Sequence, residues 1–178
     1  HRELASGLSM PVGLKNRTDG DVQVAVDAIR AASHRHLFPS LTKEGAPAIL
    51  ETRGNPDCHL VLRGGSEPNC DAASIAAAQN LLAKAGLPET VMVDCSHANS
   101  GKDPARQPEV ARSVVDLKLG TKGEPGNPGI RGLMIESHLS AGRQDVGEQM
   151  RYGVSITDGC LGFEYTRALL MGLAESLA

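Results

Sequence analysis

Apolar runs alternate with amphipathic segments along this chain. Four runs rich in Val, Leu, Ile and Met have the length of strands and end in Gly, Pro or polar residues. They are MPVGLK (10–15), CHLVLRGG (58–65), TVMVDCSH (90–97) and IRGLMIESHL (130–139). Strands without apolar/polar alternation are typical of a parallel sheet covered on both faces, so the pattern predicts an α/β fold.

Helical spacing of apolar residues follows each predicted strand. The predicted helices cover residues 19–33, 71–86, 108–119 and 166–178, and the first eight residues read as the end of a further helix. Asp19 or Asp21 is the expected N-cap of the first of these helices. Gly and Pro punctuate residues 36–57, where we expect an inserted β-hairpin at about residues 41–52.

Four strand-helix units predict either an open parallel sheet or half of a (β/α)8 TIM barrel. The chain begins in the last turn of a helix, which favours the second half of a barrel, strands 5–8. No Gly-rich fingerprint follows the first strand, which argues against a dinucleotide-binding sheet. We expect residues 1–178 to belong to a single domain.

Composition excludes several function classes. The net charge is -3 and aromatic residues make up 2% of the 178 residues, so neither a basic surface nor stacking platforms for nucleic acid are expected. No apolar run reaches the ~18 residues of a membrane span and no signal peptide is recognisable, so we expect a cytoplasmic protein. The four cysteines are widely spaced, which favours free thiols over a disulfide framework.

Charged residues stand where the predicted strands end. Lys15 and Arg63 follow two successive strands, and Gly64 and Gly65 come directly after Arg63. Two cations beside glycines that expose backbone N–H groups suit a phosphorylated, carboxylated substrate. The alternative is that each cation pairs with a neighbouring acid.

An imidazole and two carboxylates follow on the next segments. His97 and Glu136 stand at the ends of the third and fourth strands, and Asp158 follows further along the chain. These side chains form a partial site for Mn²⁺, Fe²⁺, Co²⁺ or Zn²⁺. A core histidine with two capping acids is the alternative. His138, two residues after Glu136, is a weaker candidate of the same kind.

Five motifs in order extend this picture: GLKNRTDG, LRGGSEPN, VDCSHANSGK, LMIESHL and YGVSITDGC. Together they resemble the second half of the type I 3-deoxy-D-arabino-heptulosonate 7-phosphate (DAHP) synthase family, over essentially the whole chain. The resemblance implies a metal-dependent (β/α)8 barrel enzyme. It condenses phosphoenolpyruvate with D-erythrose 4-phosphate and releases DAHP and phosphate, in the first step of the shikimate pathway of aromatic amino-acid biosynthesis.

The resemblance also implies roles for individual residues. Lys15 corresponds to a lysine that contacts phosphoenolpyruvate and moves a proton, and Arg63 to an arginine that holds its phosphate. His97, Glu136 and Asp158 correspond to three of four metal ligands, and His97 also counts as catalytic. The family's fourth ligand is a cysteine after the first strand, and its N-terminal half adds basic substrate-binding residues. None of the four cysteines here matches that position.

The hairpin resembles one that helps to bind an aromatic amino-acid inhibitor in the family, and Ser9 and Ser40 are candidates to line such a pocket. A homo-oligomer or a complementary N-terminal half is the expected protein partner. Two other functions remain open at this point: a non-catalytic half-barrel that acts as a binding module, and a related synthase for another sugar phosphate, which the motifs disfavour.

Overall fold

The computed structural model describes residues 1–120, 123 and 125–177, which form an α/β fold. Its eight strands are β1 (Val12–Lys15), β2 (Leu37–Leu41), β3 (Pro47–Glu51), β4 (Cys58–Leu62), β5 (Val91–Asp94), β6 (Ile130–Met134), β7 (Ser137–His138) and β8 (Leu161–Gly162). Its five α-helices are α1 (Arg2–Ser6), α2 (Gln23–Ala32), α3 (Ala72–Lys84), α4 (Gln107–Leu119) and α5 (Phe163–Leu177).

The four predicted strands form one parallel sheet in the order β1-β4-β5-β6. Each strand therefore pairs with the predicted strand that precedes it in the chain. A doubly wound sheet would reverse direction at a switch point, and the described strands contain no such reversal. Parallel pairing brings the carboxyl ends of all four strands to one edge of the sheet, which is where the charged residues stand.

The helices pack apolar faces onto this sheet. In α2, Val26 and Ile29 are buried. The N-cap position of α2 is Val22, without a side-chain capping bond, so the expectation of Asp19 or Asp21 as N-cap was wrong. The Asp21 carboxylate does accept a hydrogen bond from the N–H of Gln23, the first helical residue, at 2.8 Å. Asp71 is the N-cap of α3, and its hydrogen bonds with Ser74 lower the pKa of its carboxyl group.

Several predicted helix boundaries were displaced, most of all the start of α2, which lies at Gln23 and not at residue 19. Helix α5 begins at Phe163, three residues before the predicted start at Thr166. The Thr166 hydroxyl donates to the Gly162 carbonyl four residues earlier, so Thr166 lies inside the first turn and does not cap it. Helix α3 ends at Lys84, and Gly86 beyond it takes a left-handed φ of 69°.

The predicted β-hairpin is present, but its predicted bounds were wrong. Antiparallel β2 and β3 pair from Leu37–Glu51 to Leu41–Pro47, so the first arm ends at residue 41, where the predicted hairpin began. Pro39 reads in sequence as a strand breaker. In a two-stranded hairpin, however, each strand has an unpaired edge, which tolerates a residue without an N–H group.

The core lies between the sheet and helices α2, α3, α4 and α5, and consists mainly of Val, Leu, Ile and Ala side chains. Cys58 and Cys95 are buried in it, and all four cysteines are free thiols. No helix among residues 1–120 and 125–177 combines the length and the apolar composition that a membrane span requires.

The loops at the carboxyl ends of the strands pack directly on one another. A Cβ atom on Gly65 would lie 2.4 Å from the backbone of Gly20, and one on Gly64 would lie 2.7 Å from the Cβ of Ala98. The N–H groups of both glycines are already bonded within the protein, to Asn69 and Glu67. The expectation that these glycines offer their N–H groups to a ligand was therefore wrong: they allow loop-on-loop packing.

We predict that Gly65→Ala lowers the free energy of unfolding by ~1–3 kcal/mol, because the new methyl group meets backbone atoms that cannot rotate away. Gly172→Ala is the matched control: it lies within α5 with nothing within 4 Å of its added Cβ, and we expect stabilisation by about 0.5–1 kcal/mol. Urea unfolding of both variants measures the difference. Equal effects of the two substitutions would contradict the packing argument.

We further predict that Cys95 resists alkylation in the folded chain. Burial, reinforced by the charge of Asp94, raises the pKa of the Cys95 thiol to about 12, so the reactive thiolate is absent at neutral pH. The unfolded thiol ionises near pH ~8.5, so this group's contribution to stability is complete below that pH and declines between there and pH 12. Mass spectrometry after iodoacetamide treatment at pH 7 to 9 should find Cys95 modified only in denaturant. Native labelling as fast as that of the half-buried Cys160 would contradict this prediction.

Candidate metal and substrate site

Three predicted ligands converge at the carboxyl edge of the sheet. His97 follows β5, Glu136 follows β6, and Asp158 precedes β8 in the chain. One nitrogen or oxygen atom from each lies within 4.8 Å of the others. The Nε2 atom of His97 is 3.7 Å from Oε1 of Glu136 and 3.9 Å from Oδ2 of Asp158.

His97 reaches this position through an uncommon backbone conformation. Its φ is 52°, in the left-handed region, and it opens a short 3-10 helix, His97–Ser100. Such a conformation is costly for a non-glycine residue and clusters at functional sites. It turns the imidazole from the end of β5 toward the end of β6.

A buried carboxylate lies behind the imidazole. The Nδ1 atom of His97 is 2.9 Å from Oδ2 of Asp94, whose side chain is 0% exposed. The two atoms are close, but Nδ1 makes no hydrogen bond within the described residues. With Nδ1 facing a carboxylate, the Nε2 atom is the one that faces the cluster, as in carboxylate–histidine–metal arrangements.

Glu136 is held through both its backbone and its side chain. The Ser96 hydroxyl donates to Oε2 of Glu136 at 2.6 Å. Gln107, fully buried at the start of α4, accepts from the Glu136 N–H at 2.8 Å and donates to its carbonyl at 3.2 Å. The second carboxylate oxygen, Oε1, is the one directed at His97.

Asp158 is the least constrained of the three. Its side chain is 66% exposed, and the only contact recorded for its carboxylate within the described ranges is the one to His97. Its carbonyl accepts a weak hydrogen bond from the Cys160 thiol, 3.5 Å away. The cluster thus has two positioned ligands and one on a more open loop.

The donor set fits a divalent metal ion. One imidazole nitrogen and two carboxylate oxygens are ligands for Mn²⁺, Fe²⁺, Co²⁺ and Zn²⁺. Their separations of 3.7 and 3.9 Å are too long for hydrogen bonds, so the three groups approach without satisfying one another. Two carboxylates that face the same point repel each other unless a cation lies between them.

A cavity of about 180 Å³ opens beside the cluster. It is lined by Arg63, Ser96, His97, Lys102, Glu136, Asp158 and Gly159. Four of the five predicted catalytic, substrate and metal residues therefore line one cavity, which contains both cations and groups that can bind a metal.

Lys15, the fifth predicted residue, does not line this cavity. Its Nζ atom pairs with Oδ2 of Asp94 at 2.7 Å, and its side chain is 32% exposed. Asp94 thus contacts both Lys15 and His97, and its other oxygen accepts from the Ser96 N–H at 2.9 Å. The alternative in which a strand-end cation pairs with a neighbouring acid holds for Lys15.

Three asparagines connect the strand-end loops, and sequence reasoning missed them. Asn16 accepts from the Arg63 N–H at 2.8 Å, Asn69 accepts from the Gly64 N–H at 2.7 Å, and Asn99 accepts from the Asn69 N–H at 2.8 Å. Asn99 also donates to the Asp94 carbonyl at 2.8 Å. The sequence did offer a signal, because each asparagine stands within or beside a strand-end motif. Asn16 follows Lys15, Asn69 ends LRGGSEPN, and Asn99 lies two residues after His97.

Other predicted residues lie apart from this cluster. Ser9 lines a separate cavity of about 520 Å³ formed by residues 6–9 and 50–57. Ser40 lies on β2 opposite Ala48 and is not among the residues that line that cavity. His138 bonds through Nδ1 to the Gly153 carbonyl and does not join Glu136 in the metal-type cluster.

Comparisons with known proteins identify relatives of this chain. The phenylalanine-sensitive phospho-2-dehydro-3-deoxyheptonate aldolase of Escherichia coli is 52% identical over 179 residues, covering 99% of this chain and 50% of that protein. The tyrosine-sensitive enzyme of the same organism is 48% identical over 180 residues, covering 99% of this chain and 49% of its own length. The chain spans about half the length of the curated relatives it matches.

A solved structure supports the same assignment. The phospho-2-dehydro-3-deoxyheptonate aldolase of Francisella tularensis superimposes with a TM-score of 0.90 at 46% identity, over 99% of this chain and 50% of that one. A family model described as the DAHP synthetase I family matches residues 1–171. The chain therefore belongs to the DAHP synthetase I family.

Proposed function

We propose that this chain forms the second half of a (β/α)8 barrel that condenses phosphoenolpyruvate with D-erythrose 4-phosphate to DAHP and phosphate. The observation that carries the proposal is the cavity in which His97, Glu136 and Asp158 meet Arg63 at the carboxyl ends of parallel strands. This is the edge at which barrel enzymes place their active sites. The family assignment favours this reading over a non-catalytic binding module.

The barrel assignment draws support from the sheet. Strands β1, β4, β5 and β6 follow chain order and are all parallel, as strands 5–8 of a barrel would be. The solved relative from Francisella tularensis aligns over half of its length. In this proposal, residues 1–178 belong to one barrel domain, and β1 and β6 are the two strands that the other half would pair with.

His97, Glu136 and Asp158 would hold the divalent metal, one of Mn²⁺, Fe²⁺, Co²⁺ or Zn²⁺. When bound, such an ion supplies Lewis-acid polarisation of an aldehyde oxygen. Asp94 faces Nδ1 and keeps Nε2 of His97 directed at the cluster, and Ser96 and Gln107 fix Glu136. Arg63 offers a planar guanidinium for a bidentate contact with a phosphate or carboxylate.

Lys15 differs from Arg63 in that its charge is already paired within the protein. Its ammonium is paired with Asp94, so it would contact phosphoenolpyruvate at the expense of, or in addition to, that ion pair. In this proposal, the Asp94 carboxylate keeps a proton on the Nζ atom of Lys15 until it is transferred. Orientation of both substrates by fixed residues makes their encounter effectively intramolecular.

Regulation and assembly are proposed from the relatives. Two of them carry the names Phe-sensitive and Tyr-sensitive, and we propose that an aromatic amino acid acts on this protein as well. The cavity that Ser9 lines is the candidate pocket, and Ser40 lies on the hairpin but does not line that cavity. We also propose a cytoplasmic location and association with a complementary half or a second copy.

The direct test is a synthase assay of two mixtures. The 178-residue chain is supplied with phosphoenolpyruvate, erythrose 4-phosphate and Mn²⁺, alone and together with the separately expressed N-terminal half of the Escherichia coli relative. We expect DAHP to form in the complemented mixture. Absence of DAHP in both mixtures, when the two halves co-purify, would refute the proposed function.

We predict that His97→Ala or Glu136→Ala in the complete barrel lowers turnover by at least ~100-fold, because a metal ligand is lost. Metal analysis of the purified variants should show weaker Mn²⁺ binding in parallel. His138→Ala is the matched control, since this histidine contacts only a backbone carbonyl and a neighbouring N–H in the described structure. Near-normal turnover of His97→Ala with stoichiometric metal would remove His97 from the ligand set.

We predict that Asp94→Asn weakens Mn²⁺ binding ~10–100-fold, because an amide holds the imidazole less firmly than a carboxylate does. Long-range ¹⁵N NMR of the metal-free chain should show changed signals for the His97 ring nitrogens, because Nδ1 then faces an amide in place of a carboxylate. Asp27→Asn, an exposed position on α2, is the control for the loss of one charge. Unchanged ring-nitrogen signals with unchanged Mn²⁺ affinity would show that Asp94 serves only the Lys15 pair.

A further inference from the structure

Lys102 lies in the same cavity as the candidate metal ligands and was not predicted from the sequence. It is exposed, and it lines the cavity together with Arg63, His97 and Asp158. Within the described part of the chain, its Nζ atom has neither a carboxylate within 4.0 Å nor a hydrogen-bond acceptor. The residue is thus a cation at a cavity mouth without a structural partner among these residues.

The backbone of Lys102 is strained in the same sense as that of His97. Among the described non-glycine residues, only these two have positive φ angles, 63° for Lys102 and 52° for His97. Gly101 has the same φ of 63°, but glycine adopts this conformation without a steric penalty. A lysine in this conformation carries a penalty that glycine would avoid.

The turn fixes where Lys102 stands. Its N–H donates to the His97 carbonyl at 2.7 Å, closing the loop that begins at the metal ligand. Asp103 then caps the next 3-10 helix, Pro104–Arg106, by accepting from the Ala105 N–H at 2.9 Å. The N–H of Gly101 donates to the Ala98 carbonyl at 3.0 Å, so both neighbours of Lys102 are anchored. The left-handed backbone at position 102 then places the lysine side chain at the cavity.

The charges that line the cavity indicate the charge of the ligand that Lys102 would bind. A divalent ion would offset the carboxylates of Glu136 and Asp158, which leaves Arg63 and Lys102 as two positive charges. Arg63, like Lys102, has no ion-pair partner among the described residues, whereas Lys15 is committed to Asp94. Two cations that line the same small cavity match the charge of a phosphate monoester.

We propose that Lys102 binds the phosphoryl group of a substrate together with Arg63, and that its strained backbone persists for this contact. The inference rests on the proposed function for the identity of the phosphate ester. It adds to that function a substrate-binding residue on the turn after β5, next to the metal ligand His97.

The test measures binding of inorganic phosphate to the chain saturated with Mn²⁺, by isothermal titration calorimetry. Three substitutions separate charge from backbone: Lys102→Met removes the ammonium, Lys102→Arg keeps a cation, and Lys102→Gly removes both the ammonium and the strain. Lys43→Met, at the tip of the hairpin, is the control for the loss of one exposed positive charge. Mn²⁺ affinity and thermal unfolding are recorded for every variant.

We expect Lys102→Met and Lys102→Gly to weaken phosphate binding ~5–10-fold, the loss of one partly exposed charge-assisted contact, and Lys102→Arg to remain within about twofold. Lys102→Gly should melt ~2–4 °C higher than Lys102→Met, because glycine relieves the left-handed strain. Mn²⁺ affinity should not fall in any of these variants. Loss of phosphate affinity with a gain in stability is a combination that a purely structural lysine would not produce.

Two results would overturn the inference. One is a phosphate affinity of Lys102→Met within twofold of the unsubstituted chain, and the other is no measurable phosphate binding by the unsubstituted chain itself. Failure of the proposed function has a different signature, since it appears as absence of DAHP in the complemented assay whatever the phosphate affinities are. The two outcomes are therefore distinguishable.

Discussion

The buried carboxylate of Asp94 is the contact on which the rest of the site depends. One of its oxygens meets both the Lys15 ammonium and the His97 imidazole, and the other accepts from the Ser96 N–H. A carboxylate with no solvent exposure must be paired, because an isolated buried charge is very costly. The need to satisfy Asp94 thus holds the end of β1 against the end of β5 and orients the imidazole at the same time.

Amide side chains connect the other strand ends to this site by hydrogen bonds. Asn16, Asn69 and Asn99 join the loops after β1, β4 and β5, and Gln107 joins α4 to the end of β6. Asn16, Asn99 and Gln107 are buried and Asn69 is half-buried, and their side chains make hydrogen bonds, a condition under which polar groups make a structure rigid. The site is consequently firm around His97 and Glu136, while Asp158 stands on a more exposed loop.

Much of this fold could be predicted from the sequence, because apolar runs and helical spacing report burial directly. The four sheet strands and the helices α2–α5 follow from that pattern, and the motifs indicated His97, Glu136 and Asp158. What the pattern could not indicate were contacts created by backbone shape. Lys102 enters the cavity only through left-handed residues, and Gly64 and Gly65 serve loop packing that no spacing rule reveals. Pro39 likewise argued against a strand at residues 37–41, although a proline is tolerated there because β2 has an unpaired edge.

The order of strands in the sheet has a consequence for how the site forms. Neighbouring strands are also successive along the chain, apart from the inserted hairpin, so each pairing closes a comparatively short loop. The contact between Lys15 and Asp94 is different, because it joins residues 79 positions apart and spans the strand β4 that lies between them. That ion pair has its geometry only after β1, β4 and β5 are in register. This ion pair is therefore a long-range contact that depends on three strands at once, and a one-residue slip of β1 or β5 would turn Lys15 or Asp94 to the opposite face of the sheet.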